Sequence, residues 1–201
     1  MYVPDHFLPP DDEAMFALIK DQAFGALITP DLQVTHIPFQ LEARAGGPVL
    51  VGHVARANPH WQVFDGCQQA VVIFQGPHGY ISPGWGAAAE SCETLVPTWN
   101  YAVVHAKGCP RVIEGEQAAR DLLTQMTQVH ETGRPTPWVV DDLASGLMER
   151  LLRALVVFEM PVVALEGKWK LSQNRSAADR AAFVRMLQDE GRDDLAQVMA
   201  D

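Results

Sequence analysis

Residues 52–61 combine the side chains and the backbone pattern that favour a bound phosphate group. They read Gly-His-Val-Ala-Arg-Ala-Asn-Pro-His-Trp, so an apolar strand ends before Arg56 and a short helix is predicted to begin at Asn58 and Pro59. Backbone N–H groups at a helix start attract anions, and the Arg56 guanidinium offers a fork of donors for the same anion. Trp61 follows one turn later, where it could cover a flat ring system. A plain strand-to-helix connection with a surface arginine and a core tryptophan is the alternative interpretation.

Residues 97–105 predict a strand whose two faces differ in chemistry. Thr98 and Asn100 share one face, while Trp99 and Tyr101 share the other, because side chains alternate along a strand. A flavin needs hydrogen-bonding groups along its pyrimidine edge and ribityl chain, and apolar cover over its dimethylbenzene edge. This strand offers both kinds of contact, and a half-buried edge strand would show the same alternation.

Two other segments carry polar groups that could line a pocket. Residues 168–175, Lys-Trp-Lys-Leu-Ser-Gln-Asn-Arg, place three cations and three amide or hydroxyl side chains within eight positions of an acidic protein. They could reach a phosphate or a partner subunit, and a solvated loop in front of a helix cap is the simpler alternative. Residues 75–82 are predicted to form a tight hairpin through Gly76 and Gly79, with Tyr80 and Ser82 on one face.

No pattern in the sequence identifies a catalytic residue. The seven histidines are scattered without metal-ligand spacing, and His36 and His53 lie on predicted strands, where either could also be a core histidine. The sequence contains no G-x-G-x-x-G after a strand and no G-x-x-x-x-G-K-[ST], so a Rossmann or P-loop nucleotide site is unsupported. It also lacks G-x-S-x-G and H-E-x-x-H.

Composition limits the partners and the compartment. The 201 residues carry a formal net charge of -10, which repels nucleic acids and anionic membranes, so direct DNA binding is doubtful. Three cysteines without CxxC spacing predict free thiols in a reducing cytoplasm. The N-terminus shows no signal peptide, and no apolar run approaches the roughly 20 residues that span a bilayer, so we expect a cytoplasmic protein without a membrane segment.

The elements that must position these residues are mostly short strands separated by glycine and proline turns. Strands are predicted at residues 26–29, 34–39, 49–54, 70–75, 80–82, 98–107, 111–114 and 154–165. Helices are predicted to start after Pro10 and to cover residues 116–130, 142–153 and 177–190, the last with Ser176 as its cap, and a short terminal helix follows. Residues 83–96 read as a loop. The fold class is therefore mainly β with helices (α+β), a small antiparallel barrel.

Six motifs in fixed order resemble one family. They are Met-Tyr-Val-Pro at 1–4, Thr-His-Ile-Pro at 35–38, Gly-His-Val-Ala-Arg-Ala-Asn-Pro at 52–59, Val-Ile-Phe-Gln-Gly-Pro-His at 72–78, Val-Pro-Thr-Trp-Asn-Tyr at 96–101 and Lys-Leu-Ser-Gln-Asn-Arg at 170–175. Each motif alone is weakly specific, but together they span nearly the whole chain and resemble the PaiB family of FMN-binding split-barrel proteins. The chain departs from that family around residues 86–95, where it carries extra residues.

The resemblance implies an FMN-binding split β-barrel with C-terminal helices, assembled as a homodimer with FMN near the subunit interface. It implies one domain over residues 1–201, with helical additions at 115–153 and 176–201. Carried over by position, the cofactor-binding residues are His36, His53, Arg56, Ala57, Asn58, Trp61, Ser82, Thr98, Trp99, Asn100, Gln173 and Arg175. Among these, Arg56, Ala57 and Asn58 would meet the FMN phosphate.

Two functions share such a pocket. The first is a regulatory or redox-sensing FMN-binding protein, in line with the family's label of negative transcriptional regulator. The second is a flavin-dependent oxidoreductase acting on a small molecule. The sequence does not decide between them, and whether the protein is an enzyme stays open at this point.

Overall fold

A computed structural model describes residues 1–86, 96–140, 143 and 146–200 of the chain. Three sequence predictions fall partly or wholly outside this part: most of the 83–96 loop with its extra residues, the start of the helix predicted at 142–153, and the thiol of Cys92. Among the described residues, no helix is both long enough and apolar enough to span a membrane.

The described chain is an α+β structure with one eight-stranded sheet and five α-helices. The strands are β1 (Phe24–Ile28), β2 (Val34–Pro38), β3 (Gln40–Arg44), β4 (Gly47–Ala55), β5 (Ala70–Ile81), β6 (Thr98–Gly108), β7 (Arg111–Val112) and β8 (Leu155–Lys170). The helices are α1 (Asp12–Asp21), α2 (Glu116–Glu131), α3 (Leu147–Ala154), α4 (Ala177–Asp189) and α5 (Asp193–Ala200). The sheet order is β2-β1-β5-β6-β8-β4-β3, and β7 pairs with β8.

The predicted hairpin at residues 75–82 is wrong, because β5 runs without a turn from Ala70 to Ile81. The glycines of this segment do not reverse the chain direction; they let side chains from other elements pack closely against the strand. A Cβ at Gly76 would lie 2.8 Å from Leu18 Cδ1, and one at Gly79 would lie 2.9 Å from Leu195 Cδ2. Glycine inside a strand can mark such a close approach. The sequence shows the glycine but not the residue that packs against it, so a turn was predicted instead.

The sequence also missed β3 and misjudged the length of β8. No residue of β3 is fully buried, so the strand shows little apolar alternation in the sequence. It pairs with β4, with Leu41 opposite Leu50 and Arg44 opposite Gly47. The predicted strand at 154–165 is longer, because β8 continues to Lys170.

The described residues group into two compact units. The first unit comprises Met1–Gln22, Phe74–His105 and Glu166–Asp201, and the second comprises Ala23–Ile73 and Ala106–Leu165. In the first unit, the Asp11 carboxylate accepts a hydrogen bond of 2.8 Å from Ala14 N and begins α1. Ser176 caps α4 as predicted, accepting from Asp179 N at 3.1 Å, and Gly191 ends that helix at a φ of +70°.

The second unit is organised by the antiparallel pairing of β4 with β8. Its register runs from Val49 opposite Pro161 to Ala55 opposite Leu155. Helix α2 covers this pair, and the resulting core cluster contains Val49, Val51, Leu122, Met126 and Val157. Helical spacing over residues 116–130 predicts Leu122, Leu123, Met126 and Val129 on the buried side, and the positions of Leu122 and Met126 are confirmed. Val129, predicted on the same stripe, is 56% exposed because it lies in the last turn of the helix.

A partly buried ion cluster joins three strands of the second unit. The Glu159 carboxylate accepts hydrogen bonds from Arg44 Nη1 at 2.5 Å and from Arg111 Nε at 2.7 Å. Burial alone would raise the pKa of Glu159, but the two guanidinium hydrogen bonds outweigh that effect and hold the pKa below its ordinary value.

We expect Gly108→Ala to destabilise the protein. The new Cβ would clash with the Pro161 carbonyl oxygen and lie 2.8 Å from Met160 Cγ, and a backbone atom cannot move aside cheaply. The expected loss is about 1–3 kcal/mol of unfolding free energy, measured by urea denaturation. Gly46→Ala is the matched control, because no atom lies within 4 Å of its added Cβ. Equal stability of the two variants would contradict this packing.

Candidate functional site

The backbone of Arg56 extends the β4–β8 pairing by one residue. The Arg56 side chain is held by backbone carbonyls of the residues next to its pairing partner. Its backbone N donates to Ala154 O at 2.8 Å. Its guanidinium then donates through Nε to Arg153 O and through Nη2 to Leu155 O, each at 2.9 Å. Arginine carries five N–H donors, so three remain available on an exposed side chain whose position is already set.

The predicted short helix after Arg56 is confirmed as a 3-10 helix from Pro59 to Val63. Trp61 Nε1 donates to Arg56 O at 3.0 Å, and the guanidinium carbon lies 5.7 Å from the indole centroid, a cation–π contact. Two backbone amides at this helix start already form hydrogen bonds within the segment. Asn58 N donates to Ala55 O at 2.9 Å, and His60 N donates to Asn58 Oδ1 at 3.0 Å. The free donors here are therefore mainly those of Arg56.

The side chain of His60 holds the 3-10 helix in place through buried contacts, a role that the sequence analysis did not predict. The residue is 1% exposed. Its Nε2 lies 2.7 Å from Thr29 Oγ1 and its Nδ1 lies 2.7 Å from Thr35 Oγ1. Burial lowers the pKa of His60, and the nearby Asp31 carboxylate opposes that shift only in part. Both partners are distant in sequence, so local spacing carried no signal of this network.

Arg56 and Trp61 open onto a cavity of about 270 Å³ in the second unit. Arg153 lines the same cavity, as do Glu114 and Glu116, so two arginines and two glutamates share its lining with Trp61. Among the described residues, neither Arg56 nor Arg153 forms an ion pair. Two unpaired cations with free N–H donors are suited to a doubly charged phosphate, so the donor set fits the phosphate end of FMN.

The first unit holds a second group of predicted residues, around Lys170. Its Nζ donates to Thr98 Oγ1 at 2.5 Å and to Trp99 O at 2.8 Å. Burial lowers the pKa of Lys170, and the positive charge of Lys168 lowers it further. The Trp99 ring is 48% exposed and stacks on His78 at a centroid distance of 5.9 Å. A half-exposed indole suits a flat, electron-poor ring.

Asn100 and Gln173 have their amides committed inside the first unit. Asn100 is fully buried, and its Nδ2 donates to Ser172 Oγ at 2.9 Å. Ser172 has a φ of +64°, so this bond holds a backbone conformation that L-residues rarely adopt. Gln173 donates to Trp169 O at 2.6 Å and accepts from Leu171 N at 2.8 Å. Residues 168–175 are thus a strand end and a braced turn, and the solvated-loop alternative is wrong for residues 168–170.

The remaining predicted residues lie in separate surroundings. His36 is exposed and stacks on Phe24 at 6.1 Å, while His53 lines another cavity of about 250 Å³. Burial lowers the pKa of His53, whose Nδ1 has no hydrogen-bond partner. Ser82 accepts a hydrogen bond from Gly84 N at 3.2 Å.

Each of the two units contains six of the twelve predicted cofactor-binding residues. The second unit contains His36, His53, Arg56, Ala57, Asn58 and Trp61, and the first contains Ser82, Thr98, Trp99, Asn100, Gln173 and Arg175. Within the second unit Arg56 and Trp61 line one cavity, and the other four predicted residues, Ala57, Asn58, His36 and His53, do not line it.

Comparisons with known proteins agree with the fold and with the resemblance. A family model described as "Putative FMN-binding domain" matches residues 1–164. The protein "Protease synthase and sporulation protein PAI 2" of Bacillus subtilis is 32% identical over 100% of this chain and 97% of its own length.

Two solved structures share the fold. The FAD and heme binding protein from Mycobacterium smegmatis has a TM-score of 0.58 at 16% identity, covering 87% of this chain and 78% of its own. The flavocytochrome Anf3 from Azotobacter vinelandii has a TM-score of 0.57 at 15% identity, covering 80% and 68%. The predicted α+β split-barrel fold is confirmed.

The buried imidazole of His60 makes stability depend on pH. The folded state keeps His60 neutral, while the unfolded chain protonates it near pH 6.5, so stability is full above that pH and falls as the pH drops below it. The slope contributed by one such group reaches at most about 1.4 kcal/mol per pH unit. His60→Gln should flatten the decline between pH 6.5 and 5.5 in urea denaturation.

His53 contributes a decline of the same sign, since burial also lowers its pKa. His53→Gln should therefore flatten the curve further when combined with His60→Gln. A slope unchanged by both substitutions would show that these imidazoles are not held neutral by the fold.

Proposed function

This chain belongs to the FMN-binding family that matches it over residues 1–164, and from that membership we propose a regulatory protein that senses redox state through bound FMN. FMN is the cofactor that the sequence predicted, and the family's description agrees with it. When bound, FMN supplies reversible one- or two-electron reduction. The chain's own part is to bind the phosphate, orient the ring and limit access to it.

One observation carries the binding site: the Arg56 guanidinium is held by two backbone carbonyls and still has donors to spare. A side chain that is already ordered loses little conformational entropy when an anion binds. Arg153 adds a second positive charge in the same cavity, and Trp61 covers the Arg56 side chain. We therefore assign the FMN phosphate to Arg56, with Arg153 beside it.

The predicted site residues of the first unit stay predictions. Trp99 offers an exposed indole and Thr98 a hydroxyl that Lys170 orients. Arg175 is held at the end of the braced turn by a bond from its N to Ser172 O of 2.9 Å. Asn100 has no exposed surface, so its contribution would be to position Ser172 rather than to touch the flavin.

A regulatory output has two supports. The Bacillus subtilis relative is named a protease synthase and sporulation protein, which suits a regulator better than a metabolic enzyme. In the described part of the chain, both ring nitrogens of His60 lie within hydrogen-bond distance of threonine hydroxyls, so this imidazole has no open position for a substrate. Direct DNA contact remains doubtful, because the net charge is -10.

A flavin-dependent oxidoreductase is the second candidate function. The exposed surface of Trp99, with His78 and Tyr80 beside it, supports this alternative because a substrate must reach the flavin. We further propose that the protein works in the cytoplasm as a homodimer, as the family resemblance implies.

Arg56→Ala should weaken FMN binding. Removing a charge-assisted hydrogen bond costs about 1.5–3 kcal/mol, which corresponds to an affinity about 10- to 150-fold lower. Quenching of FMN fluorescence on titration with protein measures the change. Arg56→Lys should recover only part of the affinity, because it keeps the charge and loses the fork. Arg150→Ala removes an exposed arginine outside the cavity and is the control. Wild-type affinity in folded Arg56→Ala protein would place the phosphate elsewhere.

The FMN-loaded protein, mixed anaerobically with NADH or NADPH, separates the two functions. A redox sensor without a dedicated substrate should keep its flavin absorbance near 450 nm, roughly unchanged over minutes, because no site orients a hydride donor. Stopped-flow absorbance measures the rate. Rapid bleaching with either donor would support the oxidoreductase and count against the regulatory proposal.

A further inference from the structure

The first unit contains a second cavity, which shares one residue, Gln173, with the predicted flavin contacts. It measures about 650 Å³, within the range of small-molecule pockets, and none of its lining residues lines the Arg56 cavity. Its walls are mostly apolar, with Leu18, Trp169 and Leu171 among them, and α1 contributes Ala14 and Ala17, whose small side chains keep the space open.

Arg180 is the permanent cation of this cavity. Its Nη2 donates to Met199 O at 2.8 Å, which ties the side chain to the end of α5. Its Nε is buried and has no hydrogen-bond partner, and within the described residues Arg180 forms no ion pair. Arg180 as a residue is only half-buried, and one bond to Met199 O leaves other Nη donors of its guanidinium for a negatively charged acceptor in the cavity.

Among the described residues, the other polar groups of the cavity (His6, Asp21 and Gln173) form no hydrogen bond with Arg180. The Asp21 side chain is exposed, and its carboxylate accepts a hydrogen bond of 2.6 Å from Gln22 Nε2. The Gln173 amide is taken up by its bonds with Trp169 and Leu171. The cavity therefore presents one arginine without an ion pair among the described residues, with His6 and Asp21 as further polar lining, against largely apolar walls.

We propose that this cavity binds a small apolar monocarboxylic acid, aromatic or aliphatic, with its carboxylate on Arg180. The apolar body would lie against Leu18, Trp169 and Leu171. A carboxylate matches the arginine fork, and its apolar remainder matches the walls better than a phosphate, which carries more charge and more acceptor oxygens. The site goes beyond the flavin function and gives the protein a second ligand.

The test uses phenylacetate and octanoate as probes, with phenylacetamide as the neutral match for phenylacetate. Isothermal titration calorimetry of the full chain should show saturable, one-to-one binding of the acids and at least about tenfold weaker binding of the amide. Arg180→Gln keeps a donor for Met199 O and should lose at least about tenfold in acid affinity, while Arg185→Gln, an exposed arginine of the same helix, should keep it.

Ala17→Leu provides a second variant that leaves Arg180 in place. It adds bulk from an exposed helical position lining the cavity, so the fold should tolerate it while acid binding is lost. FMN affinity should be the same in all three variants. No saturable acid binding, equal binding of acid and amide, or full binding in both Arg180→Gln and Ala17→Leu would overturn the proposal. Competition between FMN and phenylacetate for the wild type would also overturn it, by making this the flavin site.

Discussion

The antiparallel pairing of β4 with β8 is the constraint on which the candidate phosphate site depends. Its register places Ala55 opposite Leu155, and the next backbone bond, from Arg56 N to Ala154 O, carries the ladder one residue further. The carbonyls that hold the Arg56 guanidinium belong to the residues on either side of Ala154. A slip of one residue would turn every side chain to the opposite face and remove those acceptors. The apolar cluster of β4, β8 and α2 prevents such a slip, because it buries one specific set of side chains.

In each unit, a buried polar side chain fixes the segment that contains predicted site residues. His60 does this in the second unit through hydroxyls on two sides, and Asn100 does it in the first unit through Ser172. Buried polar groups are costly when unpaired, so each of these contacts selects one conformation of the turn above it. The exposed residues of both segments are then presented in a defined position. This preorganisation is what a ligand site requires.

The proposed division of labour follows from that arrangement. A flavin would bring the electron chemistry, and the chain brings an ordered arginine whose remaining donors face an accessible cavity. The cavity at Arg180 has a different character, since a half-buried arginine lies there among mostly apolar walls. A protein that binds both a flavin and a small organic acid could couple redox state to the supply of that acid.

Local sequence signals determined much of this protein. The helix start after Pro10, the cap at Ser176, the end of α4 and the short helix after Asn58 were all predicted, because capping and turn chemistry act over a few residues. The order of motifs also determined the family and its cofactor. Tertiary structure alone decided what contacts each residue over long range. It placed Leu18 and Leu195 against the glycines of β5, the two threonines around His60, and a free buried donor at Arg180. No periodicity encodes such contacts, since their partners lie tens of residues away and meet only when the sheet and helices pack.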